Sequence, residues 1–296
     1  MRALVTGGAG FIGSHLVERL FHDNREVEII DDLSNANDPF VRYLSLQGWP
    51  FIDSFDISEK CPVPSDIEIV FHLAADSIMP TETLELYRRN ILGTINLLKE
   101  MDQKRVNNLV FASGGVVYGE MKDNDTLKPT SYYGASKLSS EYLISTYARK
   151  HPDFKCWIYR FGNVVGSRLN HAVIYDFLKQ IKQTGKIIMH GNGEQRRSFI
   201  HVSDVVETLI TTMSRAPDTY NLCSDDTASV NDVIRVIEES LDKKIEVEKV
   251  DPWVWDIQIC CPSNVKLKAT GWKPSTDSIG AIKRAVSEQI QELFHE

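Results

Sequence analysis

The chain has few of the features that mark membrane or secreted proteins. Among its 296 residues, no apolar run approaches the roughly 18–20 residues that a membrane span needs. No charged leader followed by an apolar stretch precedes "MRALVTGG", so we expect no signal peptide. The five cysteines are odd in number and form no C-x-x-C pair, which favours reduced thiols in a cytoplasmic protein.

A basic surface is also missing from the sequence. The formal net charge is −8 and no basic stripe is present, so we expect no nucleic-acid partner. We predict no metal site either.

The order of apolar and amphipathic stretches predicts an α/β fold. Several apolar runs are unbroken, as in parallel strands that are covered on both faces. The predicted strands are 3–6, 26–30, 67–74, 108–113 and 156–161, and the predicted helices between them are 11–22, 83–101 and 133–151. This alternation predicts a doubly wound parallel sheet of the Rossmann type.

The segment "LVTGGAGFIGSH" places a glycine-rich turn between a predicted strand and a predicted helix. Gly7, Gly10 and Gly13 would let the backbone approach a pyrophosphate, to which the start of the helix offers N–H groups. The next strand ends at Asp31, close to the spacing of about 20 residues at which an acid binds the adenosine ribose. With Asp32 beside it and no arginine following closely, the pattern favours NAD over NADP.

Three tyrosine–lysine pairs with a spacing of four residues are candidates for proton transfer, because a lysine one helical turn away stabilises a phenolate. In chain order they are Tyr118/Lys122, Tyr133/Lys137 and Tyr175/Lys179. The first is followed by glycine and falls in a predicted turn. The third lies in an amphipathic helix, where a buried ring and a solvated lysine are the usual explanation. The second begins a helix at the carboxyl edge of the sheet, where ligands bind, so we predict that it is the catalytic pair.

A string of further motifs extends across nearly the whole chain. It includes "TGGAGFIG", "FHLAA", "NILGT", "VYG", "YYGASK", "RFGNVVG" and "RRSFIHVSDV", in this order. With them the chain resembles the extended short-chain dehydrogenase/reductases of the NAD-dependent epimerase/dehydratase family. It looks most like the UDP-glucose (UDP-galactose) 4-epimerase branch.

The resemblance implies roles for individual residues. NAD would be held by Gly7, Gly10, Phe11, Ile12, Gly13, Asp31, Asp32, Asp56, Ile57, Leu73, Ala74, Ala75, Asn90, Ser113, Tyr133 and Lys137. A nucleotide-sugar would be held by Ser77, Asn163, Val173, Met189, Arg197 and Cys260. The catalytic residues would be Tyr133, Lys137 and Ser113.

The stretch "FASGGVVYGE" departs from the pattern of similar enzymes. Similar dehydratases and decarboxylases carry an acid at the position of Val116, so neither reaction is expected here. Similar 4-epimerases carry a serine at the position of Gly114, where it bonds the sugar O4. Tyr133 could reach O4 directly, or Ser113 or Ser77 could substitute.

A second departure lies in "DPWVWDIQICC". Similar epimerases often carry an arginine near its start, and Arg196 or Lys249 could replace that diphosphate anchor. Aligning Asp256 with the family's acid places Cys260 beside the C2 substituent of the sugar, where a small residue would admit an N-acetyl group.

These features together predict an NAD-dependent 4-epimerase of a nucleotide-sugar. The alternatives are a 4-keto reduction on such a sugar and a non-catalytic NAD-binding module. We expect an NAD-binding domain at 1–165, to which 197–225 returns, and a smaller, partly interleaved nucleotide-sugar lobe at 166–196 and 226–296. Relatives pair through two helices, so the segments "LELYRRNILGTINLLKEM" and "LSSEYLISTYARK" would form a homodimer interface.

Overall fold

The computed structural model describes residues 1–34, 54–77, 83–121, 126–253 and 257–294. The chain forms two compact units. The first consists of Met1–Val117, Pro129–Arg160 and Val206–Tyr220, and the second of Tyr118–Lys128, Phe161–Val205 and Asn221–Glu296. In the first unit the returning segment is therefore shorter than the predicted 197–225. The assignment of NAD to one lobe and of the sugar to the other stays a prediction.

A six-stranded sheet forms the centre of the α/β fold, in the order β10-β5-β4-β3-β1-β2. Its strands are β1 (Arg2–Thr6), β2 (Glu26–Ile30), β3 (Ile69–His72), β4 (Asn108–Gly114), β5 (Lys155–Phe161) and β10 (Thr219–Leu222). Strands β2, β1, β3 and β4 run parallel, and the register pairs Thr6 with both Ile30 and His72. The carboxyl ends of these strands therefore lie side by side, as the predicted Rossmann fold requires. The doubly wound α/β prediction is confirmed.

Two differences from the predicted strands concern this sheet. The predicted strand 67–74 is shorter, so Leu73 and Ala74 lie just beyond its end. Leu73 still donates its N–H to the Thr6 oxygen of β1 at 3.0 Å. Strand β10 is absent from the prediction, because "TYNL" is too short to show a periodicity.

The helices of the first unit cover this sheet. They are α1 (Phe11–His22), α2 (Leu84–Lys104) and α3 (Tyr132–Lys150). All four residues of β3 are buried. Three of them are apolar, and the fourth, His72, is hydrogen-bonded to Thr6 and Thr94. The core joins strand residues such as Leu4 and Val70 to Leu97 of α2 and Ile144 of α3. A short 3₁₀-helix, Gly115–Val117, follows β4.

The second unit has its own core and smaller sheets. Its strands are β6 (Asn163–Val165), β7 (Lys186–His190), β8 (Arg196–Arg197), β9 (Phe199–His201), β11 (Ala228–Ser229), β12 (Glu246–Val250) and β13 (Ile259–Cys260). Its helices are α4 (Ala172–Thr184), α6 (Val230–Leu241), α7 (Val265–Lys268) and α8 (Ser278–Phe294). A further helix, α5 (Val202–Ile210), and the 3₁₀-helix Thr212–Ser214 lead back toward the first unit along the chain. The core packs Phe177 of α4 and Ile237 of α6 with Ile282 and Val286 of α8.

Candidate active site

The turn after β1 brings backbone segments too close together for any side chain. Gly7 has a φ of +72°, and a Cβ added there would lie 2.6 Å from the Ala74 nitrogen. A Cβ on Gly13 would lie 1.9 Å from the Gly7 oxygen. Gly10 is the N-cap residue of α1, and no side chain caps this helix. The first N–H groups of α1, which include those of Phe11 and Ile12, thus lie beside a close-approach surface that fits a pyrophosphate.

The two acids after β2 have different partners. Asp31 is buried and accepts hydrogen bonds from the Ala9 nitrogen at 2.9 Å and the Leu33 nitrogen at 2.8 Å. Burial raises the pKa of its carboxyl despite these bonds. Asp32 instead accepts a hydrogen bond of 3.0 Å from Nη2 of Arg89. Asp31 therefore shapes the glycine turn, whereas Asp32 belongs to a charged cluster at the surface.

That cluster was missed in the sequence, because Arg89 is 57 residues from Asp32. Its guanidinium also contacts Asp56 at 3.0 Å and Asp76 at 3.2 Å. Ile57, next to Asp56, packs against Gly93, where an added Cβ would lie 2.8 Å from Ile57 Cδ1. The segment predicted to contact the adenine is thereby held against α2.

The residues after β3 are held by β1 and by α2. Ala74 donates its N–H to Thr6 Oγ1 at 3.3 Å. Asn90 accepts from the Asp76 nitrogen at 2.8 Å and donates to the Asp76 oxygen at 3.0 Å and to Ser136 Oγ at 3.0 Å. The structure therefore brings Leu73–Ala75, Ser77 and Asn90 to the edge of the sheet that also carries the glycine turn.

The predicted catalytic pair lies at the start of α3. Ser131 caps this helix by accepting a hydrogen bond from the Gly134 nitrogen, so Tyr133 lies in its first turn. Nζ of Lys137 donates to the Ala112 oxygen at 2.7 Å and lies 5.6 Å from the centroid of the Tyr133 ring. Burial raises the pKa of Tyr133 to about 12 and lowers that of Lys137 to about 8, although Glu141 raises the latter. The lysine is therefore charged at neutral pH and can stabilise a phenolate.

Ser113 is already engaged with another side chain. It is buried and donates its hydroxyl to Oε1 of Glu141 at 2.5 Å. Nη2 of Arg160 donates to the other carboxylate oxygen at 2.6 Å. Glu141 lies one turn beyond Lys137 on α3, so the helix carries Tyr133, Lys137 and Glu141 along one line.

The other two tyrosine–lysine pairs lie elsewhere. The hydroxyl of Tyr118 is hydrogen-bonded to Asn221 Oδ1 at 2.7 Å, and Lys122 lies outside the described residues. Tyr175 and Lys179 lie on α4, again with 5.6 Å between the ammonium and the ring centroid. The local geometry of that pair matches Tyr133/Lys137, but Lys179 is exposed.

The predicted sugar-binding residues of the second unit fall on several of its strands and on α4. Asn163 opens β6, and its backbone nitrogen donates to the Ser198 oxygen at 2.8 Å. Arg197 and Cys260 are directly paired between β8 and β13. Val173 is half-buried in α4, whereas the side chain of Met189 is buried in the core of this unit.

The two candidates for the missing arginine differ in their surroundings. Arg196 donates to Thr227 Oγ1 at 2.9 Å and to the Thr227 backbone oxygen at 2.7 Å, so two nitrogens of its guanidinium already have partners. Lys249 is exposed on β12 and pairs in register with Met189. Asp256, used for the alignment of Cys260, lies outside the described residues.

Two features were sought in the part of the chain that the structure describes, a cluster of metal ligands and a membrane-spanning helix. There, no group of three or more His, Cys, Asp or Glu residues could hold a metal ion. No helix in those ranges is long and apolar enough to cross a bilayer.

Comparison with known proteins places the chain among enzymes of nucleotide-sugars. The sequence profile of the NAD dependent epimerase/dehydratase family matches residues 3–223. A Methanocaldococcus jannaschii protein provisionally named UDP-glucose 4-epimerase is 32% identical over 96% of this chain and 97% of its own. Proteins named as dTDP-D-glucose 4,6-dehydratase and UDP-glucuronic acid decarboxylase are also similar.

Solved structures give the same result. The Thermus thermophilus UDP-glucose 4-epimerase in complex with NAD is 29% identical, with a TM-score of 0.86 over 97% of this chain and 98% of its own. The UDP-N-acetylglucosamine 4-epimerase of Methanobrevibacter ruminantium is 26% identical, with a TM-score of 0.87 over 99% of both chains. The glycine turn, the uncapped start of α1 and the acids after β2 fit an NAD, the cofactor in the Thermus thermophilus complex. The chain therefore belongs to the NAD-dependent epimerase/dehydratase family of nucleotide-sugar enzymes.

Proposed function

We propose that the protein is a 4-epimerase of a nucleotide-sugar, with UDP-glucose and UDP-galactose as its substrate pair. The observation that carries this proposal is the pair of half-buried Tyr133 and buried Lys137 beside a loop without an acid. Val116 stands where similar dehydratases and decarboxylases have their acid. A valine can neither donate nor accept a proton, so the loop offers no group for eliminating water or carbon dioxide.

The chemistry needs one base at the sugar 4-hydroxyl. Bound NAD would supply the hydride acceptor for C4 and return the hydride afterwards. Tyr133, as phenolate, takes the proton of the 4-hydroxyl and gives it back to the 4-keto oxygen. Lys137 supports the phenolate, because it keeps its proton below a pKa of about 8 while the phenol would otherwise titrate near 12.

The sugar needs its own anchors while the keto group turns to present its other face. Arg197, paired with Cys260 across two short strands, is proposed to hold the diphosphate. Asn163 and the segment near Val173 would contact the rest of the substrate. We also propose a cytoplasmic homodimer.

The test is a panel of nucleotide-sugars incubated with the purified protein without added cofactor. Interconversion of UDP-glucose and UDP-galactose, followed by chromatography, supports the proposal. A requirement for added NADH with a 4-keto sugar would favour the reductase. Bound NAD without hydride transfer to any UDP-hexose would favour a non-catalytic module.

A further inference from the structure

Arg89 is surrounded by carboxylates from three separate segments of the first unit. Nη2 donates to Asp32 and to Asp56, both at 3.0 Å, and Nη1 donates to Asp76 at 3.2 Å. All four side chains are between one fifth and one third exposed. We call these four residues the Arg89 cluster. With three negative charges and one positive charge, it carries a formal charge of −2.

The position of the Arg89 cluster bears on the choice of cofactor. Asp32 follows Asp31 at the end of β2, where the adenosine ribose is bound in this fold. In proteins of this fold that use NADP, an arginine near this point accommodates the 2′-phosphate. Here Arg89, on α2, lies beside Asp32 after β2, although no arginine follows β2 closely in the sequence.

The hydrogen bonds of Arg89 explain why an arginine at this position is compatible with a preference for NAD over NADP. Its two terminal nitrogens already donate to carboxylates, and a phosphate would have to displace at least one of them. A phosphate would also approach a cluster that is negative overall. Without Asp32, Nη2 would lose one of its two partners and the cluster would carry one negative charge less.

We propose that Asp32, Asp56 and Asp76 capture Arg89, and that this capture excludes NADP. Asp31 alone would not account for the exclusion if Arg89 were free to bind a 2′-phosphate. The inference rests on the family's use of NAD and on the predicted position of the ribose. It does not depend on which sugar reaction the enzyme performs.

Asp32→Asn is the informative change. The amide keeps an oxygen for the bond that Asp32 Oδ1 accepts from the Ser34 nitrogen at 3.0 Å, but it removes the charge that holds Arg89. Asp31 is less suitable, because its two oxygens accept backbone bonds from Ala9 and Leu33. Changing it would disturb the glycine turn itself.

The experiment measures the dissociation constants of NADH and NADPH by their fluorescence, after endogenous cofactor has been removed. It compares the wild type, Asp32→Asn, Arg89→Gln and the double variant. Asp32→Asn should tighten NADPH relative to NADH by about tenfold at low ionic strength, and added salt should reduce the gain. The double variant should lose this gain, because the freed arginine is the group that binds the phosphate.

Arg88→Gln is the matched control. Arg88 precedes Arg89 on α2 and forms an exposed ion pair with Glu85 at 2.6 Å. It should leave the NADPH to NADH ratio unchanged. Circular dichroism of each variant identifies one that does not fold, and Asp56→Asn then replaces Asp32→Asn with the same expected direction.

Two outcomes would overturn the proposal. Asp32→Asn with an unchanged ratio would show that the capture does not set the preference. An equal gain in Asp32→Asn and in the double variant would show that Asp32 acts by repulsion, without Arg89. Because no sugar is needed, either outcome is independent of the proposed 4-epimerase activity.

Discussion

Ser113 and Glu141 form a short, buried hydrogen bond in which the serine hydroxyl donates and 2.5 Å separates the two oxygens. Arg160 fixes the same carboxylate from β5. Because the serine hydroxyl donates its only proton to Glu141, this proton is not available to a substrate. The loop hydroxyl that remains in "SGGVVYG" is thus bonded to α3, and Tyr133 stays the group that we propose for the sugar O4.

The first prediction follows for the loop. Ser113→Ala should lower turnover by less than about tenfold, well below the 10²–10⁴-fold that a proton-transferring group contributes. Gly114→Ser should be tolerated and raise turnover, because it restores a hydroxyl at the register position of the sugar O4. Steady-state rates with UDP-galactose test both. A 100-fold loss in Ser113→Ala would show that Ser113 relays the proton despite its bond to Glu141.

The second prediction distinguishes Tyr133 from Tyr175, whose ring lies at the same distance from a lysine. Tyr133→Phe should lose roughly 10²-fold or more in turnover, because the general base disappears. Tyr175→Phe is the matched control, since its ring also lies 5.6 Å from a lysine one turn away. It should retain nearly full turnover. Equal losses in the two variants would contradict the assignment of the catalytic pair.

The sequence predicted those parts of the site that depend on local pattern. The glycine turn, the end of β2 and the start of α3 each have a short signature, since close approach, a strand end and a helix start are encoded by neighbouring residues. The helix α8 was not predicted, although "SIGAIKRAVSEQIQELF" has a buried face with Ile282 and Val286.

Contacts between distant segments could not be predicted in the same way. The sequence around Asp32 does not predict its ion pair with Arg89, and the sequence around Ser113 does not predict its hydrogen bond to Glu141. Both partners come from helices whose rotation is set by the packing of Leu97 and Ile144 into the core. The charges in the sequence also do not show which arginine of α2 contacts the acids. Arg88 and Arg89 are neighbours, but Arg88 pairs with Glu85 and Arg89 with Asp32.

The third prediction concerns the pH dependence of stability. The pKa of Lys137 is about 8 in the folded protein and near 10.4 in an unfolded chain. Between these values the unfolded state binds the proton that the folded state lacks. The free energy of unfolding should therefore rise with pH in this window, by up to about 1.4 kcal/mol per pH unit.

Urea unfolding between pH 8 and 10 checks this prediction. The difference between wild type and Lys137→Met isolates the lysine from other titrating groups. This difference should grow in favour of the wild type as the pH rises. Lys179→Met, at an exposed lysine, is the matched control for the removal of a lysine from such a pair. A constant difference for Lys137→Met would contradict the prediction, because it would mean that the pKa of Lys137 is not lowered in the folded protein.

The fourth prediction concerns assembly. Leu84 on α2 and Tyr142 on α3 are 66% and 61% exposed, which is high for large apolar side chains. If these helices form the proposed dimer interface, Tyr142→Glu should shift the mass in light scattering at micromolar concentration from dimer to monomer. Met213→Glu, at an apolar residue that is 48% exposed elsewhere in the first unit, should remain dimeric. A monomeric wild type would contradict the proposed dimer.

The last prediction concerns the sugars that the second unit admits. Cys260 pairs directly with Arg197, the proposed diphosphate anchor. Burial raises the pKa of its thiol to about 11 even though Arg197 lowers it, so at neutral pH the side chain is small and uncharged. At its predicted position beside the sugar C2, a residue of this size leaves room that the ring of a tyrosine would fill. The enzyme should therefore epimerise UDP-N-acetylglucosamine in addition to UDP-glucose.

The test compares two variants with both substrates. Cys260→Tyr should abolish turnover of UDP-N-acetylglucosamine and spare that of UDP-glucose, because the acetamido group needs the volume that the phenol ring occupies. Cys260→Ala is the matched control and should accept both, since it keeps the space and removes the thiol. The pocket assignment is wrong if the wild type refuses UDP-N-acetylglucosamine while it epimerises UDP-glucose. It is also wrong if Cys260→Tyr lowers both activities equally, because the ring would then disturb Arg197 rather than a C2 pocket.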